Sequence, residues 1–522
     1  MRVASTRSFI ASLGRQYWPV GLSAGLLILS YPPVNLFWLS YVAFLPFLYL
    51  IFTRLGEKRP PSLGAFLLPA AGLAFLWVLG VGHFTLYIAT ASPVERLGAF
   101  LAFWGVFTAE LALFSLLAVL FRHRLEPINW YLPLYLAGFW LLSEWLIAKV
   151  AFGLCSYLGV TQWRLPGALA LARWTGIHGV SAAVFLLNAL LFTLLKAKGA
   201  KRRGAAALFL AISLLVATGL SAPPAQEARG GVLLVMVQPG FALEEYLATY
   251  TDTGKQVQMF EALLAQSAAG LEEAGRRLSA SPGDQAPEPE VIVAWPETVL
   301  HEPILQDYYY LERLRQWQAE RRTWMLLGLP WYDYDSEKYY NAIALYDPQS
   351  RLTGLYYKVK PIPVAESWAA AGRSFAPLEV AGMSLGVGLC SELIDPLPAM
   401  AMTAAGAQAL IFLSSLDHLP GRTAPALHAA FAPFRAAESG RSVALLGSTG
   451  ITMMVAPDGT VGPTLTTRGE GLIVAFLPPA TGKTPYMAGG RHLPLLALLA
   501  LTAAFIFGRR KVGILGRRTL MD

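Results

Sequence analysis

Eight apolar stretches bracket one long polar segment, and this pattern decides most of what the chain can fold into. Each stretch approaches or exceeds the roughly 20 helical residues that cross a ~30 Å hydrocarbon core. They lie near 17–31, 36–53, 63–90, 97–121, 130–153, 174–195, 205–221 and 491–508. The first is short and stops at Pro32-Pro33; the apolar run continues past it with no A-x-A-like cleavage site, so it reads as a retained span rather than a signal peptide. The expected organisation is a seven-span domain over 1–222, a polar domain over 223–490, and a last span with a basic tail over 491–522.

Composition agrees. With 55% hydrophobic and 14% charged residues among 522, the chain is too apolar for a soluble enzyme and too long for one domain. A net charge of +8 could indicate nucleic-acid binding, but the basic residues sit on alternate connections. Arg2, Arg7 and Arg15 precede the first span; Arg54, Lys58 and Arg59 follow the second; Arg122 and Arg124 follow the fourth. Lys196, Lys198, Lys201, Arg202 and Arg203 separate the sixth and seventh, and Arg509, Arg510, Lys511, Arg517 and Arg518 follow the last. The other short connections carry only Arg96, Lys149, Arg164 and Arg173. The positive-inside rule then puts both termini in the cytoplasm and the polar segment outside it. The charge excess is topology, and no nucleic-acid partner is expected.

Within the polar segment, short apolar runs at 231–237, 291–295, 324–329, 340–346, 352–357, 384–390, 409–414, 442–447, 451–456 and 471–476 read as strands. Helical spacing appears at 253–279, 305–320, 397–406 and 424–439, and 281–290 is a Pro-rich loop. Strands alternating with helices and ending in hairpins predict a layered α/β sandwich with covered sheet faces. No Cys and His spacing suits a metal, and no cofactor is expected.

Three residues able to do chemistry each close an apolar run: Glu297 after Val291 to Trp295, Lys358 after Leu355-Tyr356-Tyr357, and Cys390 after Ser384 to Leu389. A thiol of ordinary pKa near 8.5 is a few per cent thiolate at neutral pH, so a nucleophilic Cys390 needs a base and a cation, which Glu297 and Lys358 can supply. The chain has only two cysteines. Their count allows a disulfide, but nucleophilic chemistry needs Cys390 free, and Cys155 reads as a small apolar residue at the outer end of the fifth span. Ionisable residues inside spans are costly and point to function, so His83, Glu110 and Glu144 stand out; His83 and Glu144 are expected to pair near the lipid entry.

The acid, amine and thiol in this order resemble the Glu-Lys-Cys triad of the nitrilase (carbon-nitrogen hydrolase) superfamily. Over nearly its whole length the chain resembles that superfamily's integral membrane branch, the bacterial apolipoprotein N-acyltransferases. Leu29-Ser30-Tyr31-Pro32-Pro33 with Trp38 and Pro46, Glu144, Gly153 to Gln162, and Thr175-Gly176 with Gly179, Ser181 and Asn188 carry the likeness early. Val235-Met236-Val237-Gln238, Arg435-Ala436 with Glu438 and Arg441, and Gly450-Ile451-Thr452 carry it later. The resemblance implies a transmembrane bundle of about eight spans with an extracytoplasmic αββα sandwich, in the bacterial inner membrane with the sandwich on the periplasmic side. Cys390 would be the nucleophile, Glu297 the general base and Lys358 the oxyanion cation, supported by Glu366, Ser391 and Glu392, with Trp368, His83 and Glu144 toward substrate. The implied partners are a phospholipid acyl donor and a diacylglyceryl lipoprotein acceptor, with the enzyme a monomer.

The chain departs from the family in four places. Ser391 follows the nucleophile where the family has an aromatic residue. Ser414 to Gly421 replaces an Asn-Asp-Ala-Trp-Phe-Gly-like stretch, and Gly447-Ser448-Thr449 replaces Thr-Asn-Asn. The arm between Glu366 and Cys390 is short, with Trp368 its one large aromatic before Phe375. These departures keep two other readings open: a membrane-anchored amidase that uses water as acceptor, and a non-catalytic lipoprotein-binding relative.

Overall fold

The computed structural model describes residues 17–57, 62–125, 128, 131–151, 157–196, 198–218, 231–280, 289–363 and 365–504. Cys155, the linker at 221–230, most of the 281–290 loop and the basic tail lie outside them. The chain divides into two compact units, one drawn from 1–86, 91–220 and 488–522, the other from 87–90 and 221–487.

In the apolar unit a helix occupies each of the eight stretches. Four are long and apolar enough to cross a membrane: Phe37–Leu55, Gly64–Val81, Pro93–Leu120 and Pro166–Lys196. Tyr17–Ser30, Leu132–Ala148 and Gly490–Ala504 are apolar but shorter, and Ala200–Thr218 completes the set. The helix ends do not coincide with those of the apolar windows, because local chemistry sets them. At 63–90 the helix stops at Val81, and His83–Tyr87 tightens into a 3₁₀ turn. The next helix begins sharply because Ser92 and Glu95 form a capping box around Pro93 in the first turn. The helix Pro166–Lys196 is interrupted at Gly176, whose φ of 71° and ψ of 178° no helix accommodates.

The polar unit holds twelve strands among the described residues: β1 Val232–Gln238, β2 Val291–Trp295, β3 Trp324–Asp333, β4 Lys338–Tyr346, β5 Leu352–Tyr357, β6 Leu378–Val380, β7 Met383–Leu389, β8 Ala409–Ser414, β9 Val443–Gly447, β10 Thr452–Val455, β11 Val461–Leu465 and β12 Gly471–Leu477. They form two six-stranded sheets, ordered β12-β1-β2-β3-β4-β5 and β11-β10-β9-β8-β7-β6. The central strands β1, β2 and β3 run parallel, as do β7, β8 and β9. Such strands are buried on both faces, which is why they read as continuous apolar runs.

On one face of the first sheet, Leu233, Val235, Val237, Val293, Trp295, Met325 and Leu327 pack with Phe260, Leu263 and Leu264 of helix Thr253–Ala280 and with Leu314 and Trp317 of helix Tyr308–Arg321. The alternate β1 residues, Leu234, Met236 and Gln238, are also buried because they face the second sheet, where Gln238 accepts a hydrogen bond from Thr452 of β10 at 2.8 Å. Helices Pro396–Ala404 and Ala432–Ser439 pack on β7 and β9. The result is the layered sandwich that the alternation of elements predicts.

Candidate active site

The strand directions bring three chain positions to one edge. β5 runs antiparallel to β4, and β4 antiparallel to β3, so the C-terminal ends of β2 and β5 point the same way. Glu297 leaves the end of β2 and Lys358 the end of β5. Lys358 is 1% exposed, and its Nζ donates to Glu297 Oε1 at 3.0 Å and Glu366 Oε1 at 2.8 Å. Asn341 of β4 repeats this bridge, its Nδ2 donating to Glu297 Oε1 at 2.8 Å and Glu366 Oε1 at 2.7 Å. The other Glu297 oxygen accepts the Ser415 N–H at 3.0 Å, and the other Glu366 oxygen the Ile362 N–H at 2.7 Å.

Glu297 also sits where a strand makes room for it. A Cβ on Gly328 of β3 would stand 2.4 Å from the Pro296 carbonyl oxygen and 2.8 Å from Glu297 Cα, so the acid's backbone lies directly on a glycine.

Cys390 is free and buried. It lies one residue beyond β7 at φ 41°, in the left-handed region, and opens the 3₁₀ turn Cys390–Leu393. A non-glycine residue held there at a strand end is a recurring mark of a functional position. Two contacts fix it. His428 Nε2 lies 2.9 Å from the Cys390 carbonyl oxygen, and burial holds this histidine down at about 4, so it is a neutral donor. Glu392 is fully buried and accepts the Leu389 N–H at 2.9 Å, the Val359 N–H at 2.9 Å and the Tyr356 hydroxyl at 2.8 and 2.9 Å. One carboxylate therefore ties the strand end before Lys358 to the strand end before Cys390.

The electrostatics follow from burial and these neighbours. Burial would strip the Lys358 proton, but Glu297 and Glu366 beside it more than offset that and hold the ammonium well above an ordinary lysine. Burial raises Glu297 above the usual carboxylate range, with Glu366 adding and Lys358 and Asn341 opposing. The Cys390 thiol is pushed up to about 12, first by burial and then by the Glu297 charge, with Lys358 pulling the other way. At neutral pH the site holds a protonated thiol and an ammonium beside a carboxyl group raised above the usual range. The Ser391 hydroxyl and Asn341 Oδ1 are buried there without a partner, an uncommon state in a folded interior.

The sequence-predicted residues divide. Glu297, Lys358, Glu366, Cys390, Ser391 and Glu392 belong to the polar unit and converge as described. Trp368 is on the arm after Glu366 and is 45% exposed; the arm is tied down by the Ala370 N–H on the Tyr339 carbonyl and the Gly372 N–H on the Lys358 carbonyl, both at 2.8 Å. The expected pairing of His83 with Glu144 is not made. His83 Nδ1 lies 3.0 Å from the Gly80 carbonyl of its own turn, whereas Glu144 pairs with His178 Nδ1 at 2.9 Å and accepts the Leu158 N–H at 3.1 Å. His178 lies two residues after the backbone break at Gly176. Asn341, Ser415 and His428 were not read from sequence. Asn341, a lone amide inside the run at 340–346, was the one visible signal.

Two family models match the sequence: the apolipoprotein N-acyltransferase N-terminal domain over residues 23–190 and carbon-nitrogen hydrolase over 274–486. The apolipoprotein N-acyltransferase of Geobacter metallireducens is 22% identical over 84% of this chain and 85% of its own length. That of Brucella suis is 26% identical over 94% of this chain and 96% of its own. Among solved structures, Saccharomyces cerevisiae Nit3, a member of branch 10 of the nitrilase superfamily, is 18% identical over 52% of this chain and 97% of its own, with a TM-score of 0.37.

Proposed function

From a chain that belongs to the apolipoprotein N-acyltransferase family, we propose an acyltransferase that works in two half-reactions through a thioester on Cys390. The observation that carries the reading is the Lys358 ammonium buried between Glu297 and Glu366, with the Cys390 thiol within their electrostatic reach. In the first half-reaction Glu297 takes the Sγ proton and the thiolate attacks an acyl ester of a phospholipid. Lys358 and the backbone N–H after the nucleophile stabilise the oxyanion. Collapse breaks the ester C–O bond, Glu297 returns the proton to the leaving alkoxide, and a lysophospholipid departs. In the second, the free α-amine of an S-diacylglyceryl cysteine on a lipoprotein attacks the thioester and Glu297 accepts its proton. The C–S bond breaks, an amide forms, and the thiol regains the proton.

The thiol's elevated value gives the base its purpose, because no resting thiolate is available. Glu366 and Asn341 hold Lys358 and Glu297 in register, and Glu392 fixes the two strand ends. The alternation of basic residues supports a multi-pass inner-membrane protein with this unit outside the cytoplasm, where lipid and lipoprotein are both present. The test is intact-mass analysis after incubation with phospholipid. An acyl adduct on Cys390 that disappears when a diacylglyceryl peptide is added is the expected result, and Cys390→Ala abolishes it. Hydrolysis of small amides with no lipid-derived adduct would overturn the proposal in favour of an amidase.

A further inference from the structure

Two of the segments in which this chain departs from its family, 414–421 and 447–449, are about 30 residues apart in sequence and meet in space. They meet at Asp417. Its carboxylate accepts the hydroxyls of Ser415 at 3.1 Å, Ser448 at 2.6 Å and Thr449 at 2.5 Å. The two segments are also stitched by backbone, the Ser448 N–H donating to the Ser414 carbonyl at 2.9 Å. The loop held in this way presents the Ser415 N–H to Glu297 Oε2 at 3.0 Å, while Asn341 and Lys358 occupy Oε1.

We propose that Asp417 is a positioning residue: by gathering the hydroxyls of Ser415, Ser448 and Thr449 it fixes the loop whose backbone N–H orients the Glu297 carboxylate. The two segments then act as one unit. An acceptor-only group in one segment meets hydroxyl donors from both. The inference rests on the assignment of Glu297 as base made above.

A hydrogen bond to a carboxylate favours its ionised form, so losing the Ser415 N–H raises Glu297, whereas removing the Asp417 charge through space lowers it. The two effects have opposite sign. The titratable groups around Glu297 are Lys358 at the end of β5, Glu366 on the arm, Cys390 at the end of β7, and Asp417 and His418 in the loop after β8. The experiment follows iodoacetamide alkylation at the Cys390 peptide by mass spectrometry across pH, on the full chain in detergent, for the parent, Asp417→Ala, Asp417→Asn and the double variant Ser448→Ala with Thr449→Ala. Expected is a low-pH limb moved upward by about half a pH unit or more in the double variant, which keeps the Asp417 charge, and a limb in Asp417→Ala that lies above the one in Asp417→Asn, since both lose the charge and only Asn keeps an acceptor oxygen. An unmoved or downward limb in the double variant, or Asp417→Ala at or below Asp417→Asn, overturns the proposal. If Asp417→Ala does not fold, the double variant alone decides. Alkylation needs no lipid, so a parent that shows this behaviour yet forms no acyl adduct refutes the acyltransferase reading and leaves the positioning role standing.

Discussion

At the scale of single residues, the site is a proton problem set by burial. Glu297 is raised above its ordinary 4.5, so thioester formation should fall as pH drops through a value above that. Measuring the acyl-adduct rate against pH checks this; a limb at or below 4.5 contradicts it. His428 titrates with a different consequence. Its folded value of about 4 is depressed from 6.5, so the stability present above pH 6.5 is lost as pH falls toward 4, by about 3 kcal/mol in the limit. His428→Gln keeps a donor for the Cys390 carbonyl and should flatten thermal inactivation across that window; equal acid sensitivity in the variant would refute the assignment. Glu297, Lys358 and Cys390 were legible because each ends an apolar run, which is a local signal. Asn341 and Ser415 reach Glu297 across 44 and 118 residues, and nothing local to either marks it as that partner. The Glu144 partner failed for the same reason, since His178 lies 34 residues away and nothing local to either marks the pair.

At the scale of elements, the strands missed in sequence are those that lack an apolar signature. β6 has three residues and joins β7 through Ala381-Gly382, both at positive φ, a tight hairpin turn that Asn-Gly would have announced and Ala-Gly does not. β11 holds Gly462 and Pro463 and lies at the sheet edge, where a missing N–H is tolerated. The strands that carry the site are constrained more tightly than their composition implies. Gly328→Ala must displace the Pro296 carbonyl or Glu297 Cα, so it should lower the adduct rate by about tenfold or more with near-parental secondary structure by circular dichroism. A Cβ on Gly388 of β7 would stand 2.7 Å from Phe412 Cε1, so Gly388→Ala should destabilise by about 1–3 kcal/mol in thermal denaturation. Unchanged behaviour in either variant contradicts the packing described.

At the scale of the molecule, the order of apolar and polar segments was readable from hydropathy alone, because lipid enforces long continuous runs. The exact ends were not, since a capping box at Ser92 and a backbone break at Gly176 are set by local geometry rather than hydropathy. Reporter fusions test the topology: alkaline phosphatase inserted between residues 281 and 288 should be active, and inactive when fused after Lys511. The reverse pattern would place the polar unit in the cytoplasm. Within that unit the Glu392 clamp spans the two sheets, with Tyr356 and Val359 on the β5 side and Leu389 at the end of β7. Its amide partners consequently share one opening event. Deuterium should enter Leu389 and Val359 together, in a single correlated step, even though they are 30 positions apart along the chain.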